Sequence, residues 1–258
     1  MDRLTLINTA LVCARWYPRA MRNLYYTVLL LDRTSFDLLA RQSRRSSRVK
    51  KWLATTHELV AVDTYSPFHD RSQDKRRYLH ALPLALGRAM SGVQVLEVGG
   101  FHPFMRPDSL RSLEQFNSVR SLDLTDCALS NLSQLRRIIS SFPQLTDLAL
   151  RQRIISPRHP DSPQVAGTQL EYHSQSDIRI LCLVIHVDRY HEESYEAIIN
   201  WLVFSGICTS LNDLTISWID KSSLCVASVD GLLNAAGPSL RRYSESASDS
   251  GQDYIRAI

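Results

Sequence analysis

Short apolar clusters recur along the chain at intervals that indicate a repeat. The pattern L-x-x-L-x-L, in which valine or isoleucine can replace leucine, occurs five times, and a short apolar run of this kind predicts a buried strand. The middle positions are 26, 26, 33 and 33 residues apart. Leu240 to Tyr243 forms a sixth, weaker copy, and because Glu245 would then point inward we expect the array to end there. The five matches are Val93-Leu96-Val98, Val119-Leu122-Leu124, Leu145-Leu148-Leu150, Ile178-Leu181-Leu183 and Leu211-Leu214-Ile216.

Segments with helical periodicity separate these predicted strands. Apolar residues three and four positions apart form one face of a helix. Two earlier strands, over residues 27–31 and 59–62, are separated by a capping-box-like start at residues 34–37. Pro83 should kink or shorten the helix that begins near Tyr78. The predicted helical stripes are Leu110-Leu113-Phe116 after Pro107 and Asp108, Leu132-Leu135-Ile138-Phe142, Tyr195-Ile198-Ile199-Leu202, and Leu224-Val229-Leu232 before Gly237.

The alternation of strand and helix resembles a leucine-rich repeat, whose units are roughly 20 to 29 residues long. Such units bury their apolar faces by stacking on their neighbours. The resemblance implies an α/β fold, a right-handed leucine-rich-repeat solenoid with a curved parallel sheet of six to eight strands on its concave side and helices outside. We assign residues 1–25 to a helical remnant or cap, 26–243 to the solenoid and 244–258 to a frayed tail, and we expect surface loops over 66–77 and 156–176.

The positions between the inward leucines predict a binding face. Successive strand residues point to opposite faces of a sheet, so these side chains project from the concave side, and their mixed polarity suits a protein partner. The fourth strand is apolar on both faces, so Ile180, Cys182 and Val184 would be exposed as binding residues or covered by the 156–176 loop. The other predicted partner-binding residues are Ser121, Asp123, Thr125, Asp147, Arg151, Asp213, Thr215 and Ser217.

The segment from Asn8 to Leu31 resembles the later helices of an F-box and the strand that follows them in F-box and leucine-rich-repeat proteins, most of all the F-box-like families of mushroom-forming fungi. In that family the L-V-C-x-x-W motif packs a small three-helix domain, whose surface docks on the Skp-type adaptor of a cullin-RING ubiquitin ligase. The family usually opens with an L-P-x-E-[IL] helix that this sequence lacks, so we expect a truncated F-box. The residues that carry the resemblance are Leu11, Val12, Cys13, Trp16, Pro18, Leu24 and Val28.

The same segment, taken without the resemblance, predicts an amphipathic helix that caps the first repeat. A solenoid needs such a cap to cover the otherwise exposed end of its core. The apolar positions of this helix are Leu4, Leu6, Ala10, Leu11 and Ala14, followed by Trp16.

Composition fits an ordinary globular protein, with 44% hydrophobic and 22% charged residues over 258 positions. The net charge of +4 is a mild excess that does not by itself imply a nucleic-acid partner. Five widely spaced cysteines form no C-x-x-C pair, which favours reduced thiols in the cytoplasm or nucleus. Signal-peptide features and apolar runs of membrane-spanning length are both missing from the sequence, so we expect a soluble protein with no membrane partner.

Catalytic and metal-binding motifs are absent from the sequence, which contains no G-x-S-x-G, G-x-x-x-x-G-K-[ST] or H-E-x-x-H. We therefore expect no enzyme activity, cofactor or metal. His186 and His191 do not have ligand spacing and are expected to be exposed loop residues. The run from Arg41 to Lys51 carries six basic residues and no acid, and it could serve nuclear import, phosphate contact or kinase recognition at Ser46 or Ser47. Because no interleaved aromatics mark a nucleic-acid platform, we favour a solvated helix end.

The predicted function is non-covalent recognition. From the resemblance we expect a substrate-recognition adaptor of a Skp-cullin-F-box ubiquitin ligase, which binds an unknown substrate protein through its repeats. The alternative is a leucine-rich-repeat interaction scaffold that does not dock on a ligase.

Overall fold

The computed structural model describes residues 3–63, 78–100, 107–155, 178–187, 192–218 and 223–247. The strands there are β1 (Thr27–Leu30), β2 (Glu58–Val62), β3 (Val95–Gly99), β4 (Ser121–Thr125), β5 (Asp147–Arg151), β6 (Cys182–Val187), β7 (Asp213–Trp218) and β8 (Arg242–Ala247). The helices are α1 (Arg3–Val12), α2 (Tyr17–Leu24), α3 (Arg33–Arg45), α4 (Ser47–Leu53), α5 (Leu82–Leu86), α6 (Pro107–Arg111), α7 (Leu132–Ser140), α8 (Glu192–Phe204) and α9 (Ser223–Ala236).

All eight strands form a single parallel sheet whose spatial order is the order of the chain. A backbone ladder at the start of the strands sets the register. The amide of Arg120 donates to the carbonyl oxygen of Gln94, and the amide of Thr146 donates to that of Arg120. Each strand is thereby aligned with the one before it. The aligned inward row is Val28, Leu59, Leu96, Leu122, Leu148, Leu183, Leu214 and Tyr243.

Helices pack on one face of this sheet. Strands β4 to β7 alternate buried and half-buried positions. Their buried residues share one core cluster with helix residues such as Leu135, Ile198 and Leu232. A doubly wound α/β sheet has a reversal of strand order and buries both faces. The described chain is therefore a one-sided, sequential α/β arrangement, with a strand count inside the predicted range.

A tight turn recurs directly after three neighbouring strands. The residue directly after β3 is Gly100, after β4 it is Asp126, and after β5 it is Gln152. Their φ angles are 79°, 48° and 59°. A Cβ atom at Gly100 would lie 2.0 Å from the carbonyl oxygen of Asp63, so only glycine fits there. The shared left-handed conformation marks the same point in three successive repeats.

The predicted register of the fourth repeat is wrong by two residues. Leu183, and not Leu181, pairs with Leu148. The amide of Leu181 instead donates to Thr146, which places Leu181 just before β6. Ile180 consequently corresponds to Leu145 of the preceding repeat and is fully buried in the core, whereas we expected it on the exposed binding face.

Smaller corrections concern element ends. The cap of α3 is Asp32, whose carboxylate accepts a hydrogen bond from the Ser35 amide at 2.7 Å, so the helix begins before the predicted residues 34–37. Helix α5 begins only at Leu82 with Pro83 in its first turn, which confirms the predicted shortening. Strand β8 continues to Ala247, so the predicted start of the tail at residue 244 is wrong. The predicted loops 66–77 and 156–176 and the rest of the tail lie outside the described residues.

The last described strand carries a polar residue at an inward position, as predicted. Glu245 aligns with Ile216 in the register. Its carboxylate accepts hydrogen bonds from the Trp218 indole at 3.0 Å and from the Tyr243 hydroxyl at 2.9 Å. The register row that contains Ile216 therefore ends on an exposed carboxylate that is hydrogen-bonded to Trp218 and Tyr243.

Candidate functional site

The face of the sheet opposite the helices, here called the open face, carries most of the predicted binding residues. Apart from Ile180, each occupies a strand position that alternates with the buried residues and is half-buried. The register aligns them in three rows that cross β4 to β7. The first row contains Ser121, Asp147, Cys182 and Asp213, the second contains Asp123, Val184 and Thr215, and the third contains Thr125, Arg151 and Ser217.

A charged cluster on the open face joins β4, β5 and β6. Arg151 Nε donates to Asp123 Oδ2 at 2.8 Å, and Arg151 Nη1 lies 3.1 Å from His186 Nε2. Because a guanidinium group has no acceptor, His186 Nε2 must accept this hydrogen bond. Thr125 Oγ1 donates to the other carboxylate oxygen of Asp123 at 3.1 Å. The guanidinium group of Arg151 therefore donates to the carboxylate of Asp123 and to the neutral ring of His186.

Glu97 of β3 lies beside Asp123 in the register and extends this cluster. Burial, and after it the charge of Asp123, raises the pKa of Glu97, while Arg151 acts in the opposite direction. Burial, and after it the charge of Arg151, lowers the pKa of His186, while Asp123 opposes the shift. Both shifts disfavour the charged form of these two groups, whereas Arg151 and Asp123 form an ion pair at 2.8 Å.

Cys182 lies between carboxylates of two adjacent strands, Asp147 of β5 and Asp213 of β7. Its thiol donates to Asp213 Oδ2 at 3.5 Å. Burial and the two neighbouring carboxylates raise the pKa of Cys182 to about 12. Asp213 also accepts a hydrogen bond from Arg242 Nη2 at 3.0 Å. The thiol therefore stays protonated at neutral pH, where it is a hydrogen-bond donor and a poor nucleophile.

The open face offers directional polar contacts beside a small apolar area. Ala149 and Val184 are adjacent in the register and separate Asp123 from Thr215. Among the described residues, no group of three or more His, Cys, Asp or Glu side chains is placed to hold a metal ion. The open face is therefore a half-buried polar surface with Ala149 and Val184 at its centre.

Of the residues that carry the F-box resemblance, Val28 is buried in β1, and the others lie on α1, α2 and the turn between them. Leu11 and Val12 are 80% and 73% exposed, and Trp16 is 55% exposed. We expected these residues to be either F-box core or adaptor-binding, and among the described residues these three are on the surface and not in a core. The remaining members are Cys13 and Leu24, which are half-buried, and Pro18, which is exposed.

Helix α1 presents an apolar stripe to its surroundings. Leu4, Ile7 and Leu11 are spaced by three and four residues, so they lie on one side of the helix, and all three are exposed. Helix α1 packs against α2, and Leu6 and Ala20 of this pair are buried. Neither belongs to the main core cluster. The two helices thus have a small contact of their own, and the stripe lies away from it.

Tyr17 attaches this helical pair to the first repeat. Its hydroxyl accepts a hydrogen bond from Arg48 Nε at 2.8 Å, and the guanidinium carbon of Arg48 lies 4.8 Å from the centroid of the Tyr17 ring. The rings of Tyr17 and Trp52 meet edge to face with centroids 6.1 Å apart. These contacts hold α2 against α4, and α1 is held in turn by its contact with α2.

Sequence reasoning missed Glu97, His186 and Arg242. His186, which we expected in an exposed loop, is a half-buried residue of β6. It stands two residues after Val184 and so shares its face. The correct register for β6 predicts that His186 lies on the open face. The same alternation predicts this for Glu97, which lies between Leu96 and Val98.

Comparison with known proteins leaves the family open, because no family model matches this chain and no curated protein matches it significantly. In the described part of the chain, none of the helices has both the length and the apolar character that crossing a membrane requires.

Proposed function

We propose that the chain is a leucine-rich-repeat protein that recognises a partner protein through the open face and docks on a Skp-type adaptor through α1 and α2. It would then act as a substrate-recognition adaptor of a Skp-cullin-F-box ubiquitin ligase. The ligase would supply the chemistry and this chain the selectivity. The observation that carries the docking step is the exposed apolar surface of the helical pair.

The leucine-rich-repeat assignment is supported by a longer pattern around β4. Leucine-rich repeats follow L-x-x-L-x-L-x-x-N/C-x-L, in which the asparagine or cysteine comes after the strand. Residues Val119 to Leu129 fit this pattern, with Cys127 at the N/C position. The buried thiol of Cys127 donates to the carbonyl oxygen of Val98 at 3.6 Å, so it links two consecutive repeats. A one-sided parallel sheet agrees with the same class.

The ligase step is supported by the exposed residues of the F-box-like segment. Leu11, Val12 and Trp16 remain more than half exposed within the described chain, although large apolar side chains are usually buried. Aromatic and aliphatic side chains grouped in this way mark protein-binding surfaces. An adaptor that covers them would remove this apolar area from water, which gives the docking a driving force.

The scaffold alternative is favoured by the way in which the helical pair is attached. Contacts of Tyr17 with Arg48 and Trp52 place α2 on the first repeat, as a solenoid cap requires. A cap alone, however, does not need the outward stripe of Leu4, Ile7 and Leu11. We therefore prefer the docking function for α1 and assign the anchoring function to Tyr17.

Binding of the purified chain to the host's purified Skp-type adaptor, measured by biolayer interferometry, tests the ligase step. We expect binding that Trp16→Ala and Leu11→Asp each weaken at least tenfold. Phe204→Ala is the matched control, because Phe204 is also exposed but lies on α8. Failure of the wild-type chain to bind, or equal weakening by all three variants, would overturn the ligase step and leave the scaffold.

A further inference from the structure

A groove of about 630 Å³ lies between α3 and α5, on the helical side of the sheet. Its floor is apolar: Ala40 of α3 faces Ala81, Leu84 and Ala85 at and within α5. Leu84 is 62% exposed, although its neighbours Leu82 and Leu86 are fully buried. The groove therefore contains an apolar side chain that packing within the described chain does not cover.

Arginines surround this apolar floor. Arg41, Arg44 and Arg45 line the groove, and none of them has a carboxylate partner among the described residues. Arg33 also lines it, but its Nε is paired with Asp37 Oδ1 at 2.9 Å. Among the described residues, the groove is thus lined by four arginines and one carboxylate, that of Asp37, so positive charge is in excess around its apolar centre.

Stabilisation of α3 accounts for only part of this arrangement. Cations near the carboxyl end of a helix interact favourably with its dipole, which explains Arg44 and Arg45 in the last turn. The effect fades within one turn, so it does not explain Arg41. It also does not explain why Leu84 of another helix is exposed beside the arginines.

We propose that this groove binds an acidic, amphipathic segment of a partner protein, with an apolar side chain of that segment on Leu84 and its carboxylates on Arg41, Arg44 and Arg45. Guanidinium groups pair well with carboxylates, and the apolar floor selects a ligand with an apolar side. Single-stranded nucleic acid fits less well, because it binds on exposed aromatic platforms. Phe36 lines the groove but is only 3% exposed.

The groove is lined by residues of α3 and by residues 81–85, and by none of the open face or of α1 and α2, so this binding uses a different surface from the two in the proposed function. The contacts of the basic run from Arg41 to Lys51 divide it into two parts. Arg48 is engaged with Tyr17, whereas Arg41, Arg44 and Arg45 face the groove. The partner segment would therefore contact the first repeats from the helical side.

Fluorescence anisotropy with a labelled twelve-residue peptide of alternating Glu-Glu and Leu-Leu pairs tests the proposal. We expect the full chain to bind it, with an affinity that falls as salt rises. The double variant Arg41→Glu/Arg44→Glu should weaken binding at least tenfold, and Leu84→Ser several-fold. Both changes are at exposed or groove-facing positions. The variant Arg41→Gln/Arg44→Gln removes the same two positive charges without adding negative ones, so a loss of affinity in it is not due to repulsion of the peptide.

The matched control is Arg111→Glu/Arg137→Glu, which makes the same charge change at exposed positions of α6 and α7. We expect this variant to bind within twofold of the wild-type chain. Equal weakening by the control, no effect of Leu84→Ser, or tighter binding of a twenty-residue oligothymidylate than of the peptide would each overturn the proposal.

Discussion

The repeats around β4 and β5 and the helical pair α1–α2 use similar apolar residues with opposite results. Leu122 and Leu148 are 1% exposed because each inward leucine has a neighbour in the next strand and a helix above it. Leu11 of α1 is 80% exposed because nothing in the described chain packs on that side of the helix. The difference teaches that apolar periodicity alone does not distinguish a core stripe from a binding stripe. The presence of a neighbouring repeat decides it.

The largest expected effect is on stability. We expect Leu148→Ala to lower the free energy of unfolding by about 2 to 5 kcal/mol, because it leaves a cavity in the packed inward row. Leu11→Ala should change it by no more than about 0.5 kcal/mol, because the side chain is already in water. Urea unfolding followed by circular dichroism measures both. Equal losses of unfolding free energy in the two variants would contradict the stated difference between the two regions.

Charge is a second difference between the two regions. The stripe of α1 is apolar, whereas the open face is crossed by the cluster of Asp123, Arg151 and His186. Since burial and Arg151 lower the pKa of His186, protonation of this ring favours the unfolded chain. The contribution of His186 to stability is therefore complete above its ordinary pKa of about 6.5 and is lost as the pH falls through its lower, folded value.

A smaller expected effect concerns the pKa of His186 in the charged cluster of the open face. We expect Arg151→Met to raise the pKa of His186, because the variant removes a positive neighbour and leaves Asp123 unpaired. Asp123→Asn should lower the pKa further, because it removes the opposing negative charge. Titration of the His186 ring protons by NMR measures both shifts. Shifts in the same direction would contradict the cluster as described.

Much of the sheet could be predicted from the chain itself. The L-x-x-L-x-L pattern located the inward leucines of β3, β4, β5 and β7, because each side chain that faces a neighbouring repeat must be apolar. The half-buried positions of the open face followed from strand alternation. The class of α/β fold was therefore within reach of the sequence.

Other features depend on contacts that no local pattern specifies. Strand β6 is preceded by apolar residues at 178, 180 and 181, so more than one register fits, and the backbone bond from Leu181 to Thr146 decides between them. The ionic cluster joins residues 123, 151 and 186, which come from three strands. The exposure of Trp16 likewise depends on what packs around α2, and the F-box resemblance allowed either a core or an adaptor-binding position for it.

Hydrogen exchange of the chain alone and with the purified Skp-type adaptor tests the central claim most directly, because it locates the docking surface. We predict slower amide exchange in α1 and α2, over Arg3–Leu24, and unchanged exchange in β4 and β5. Such a result would assign docking to the exposed helical pair. Unchanged exchange in α1 and α2, or protection confined to the sheet, would contradict the account.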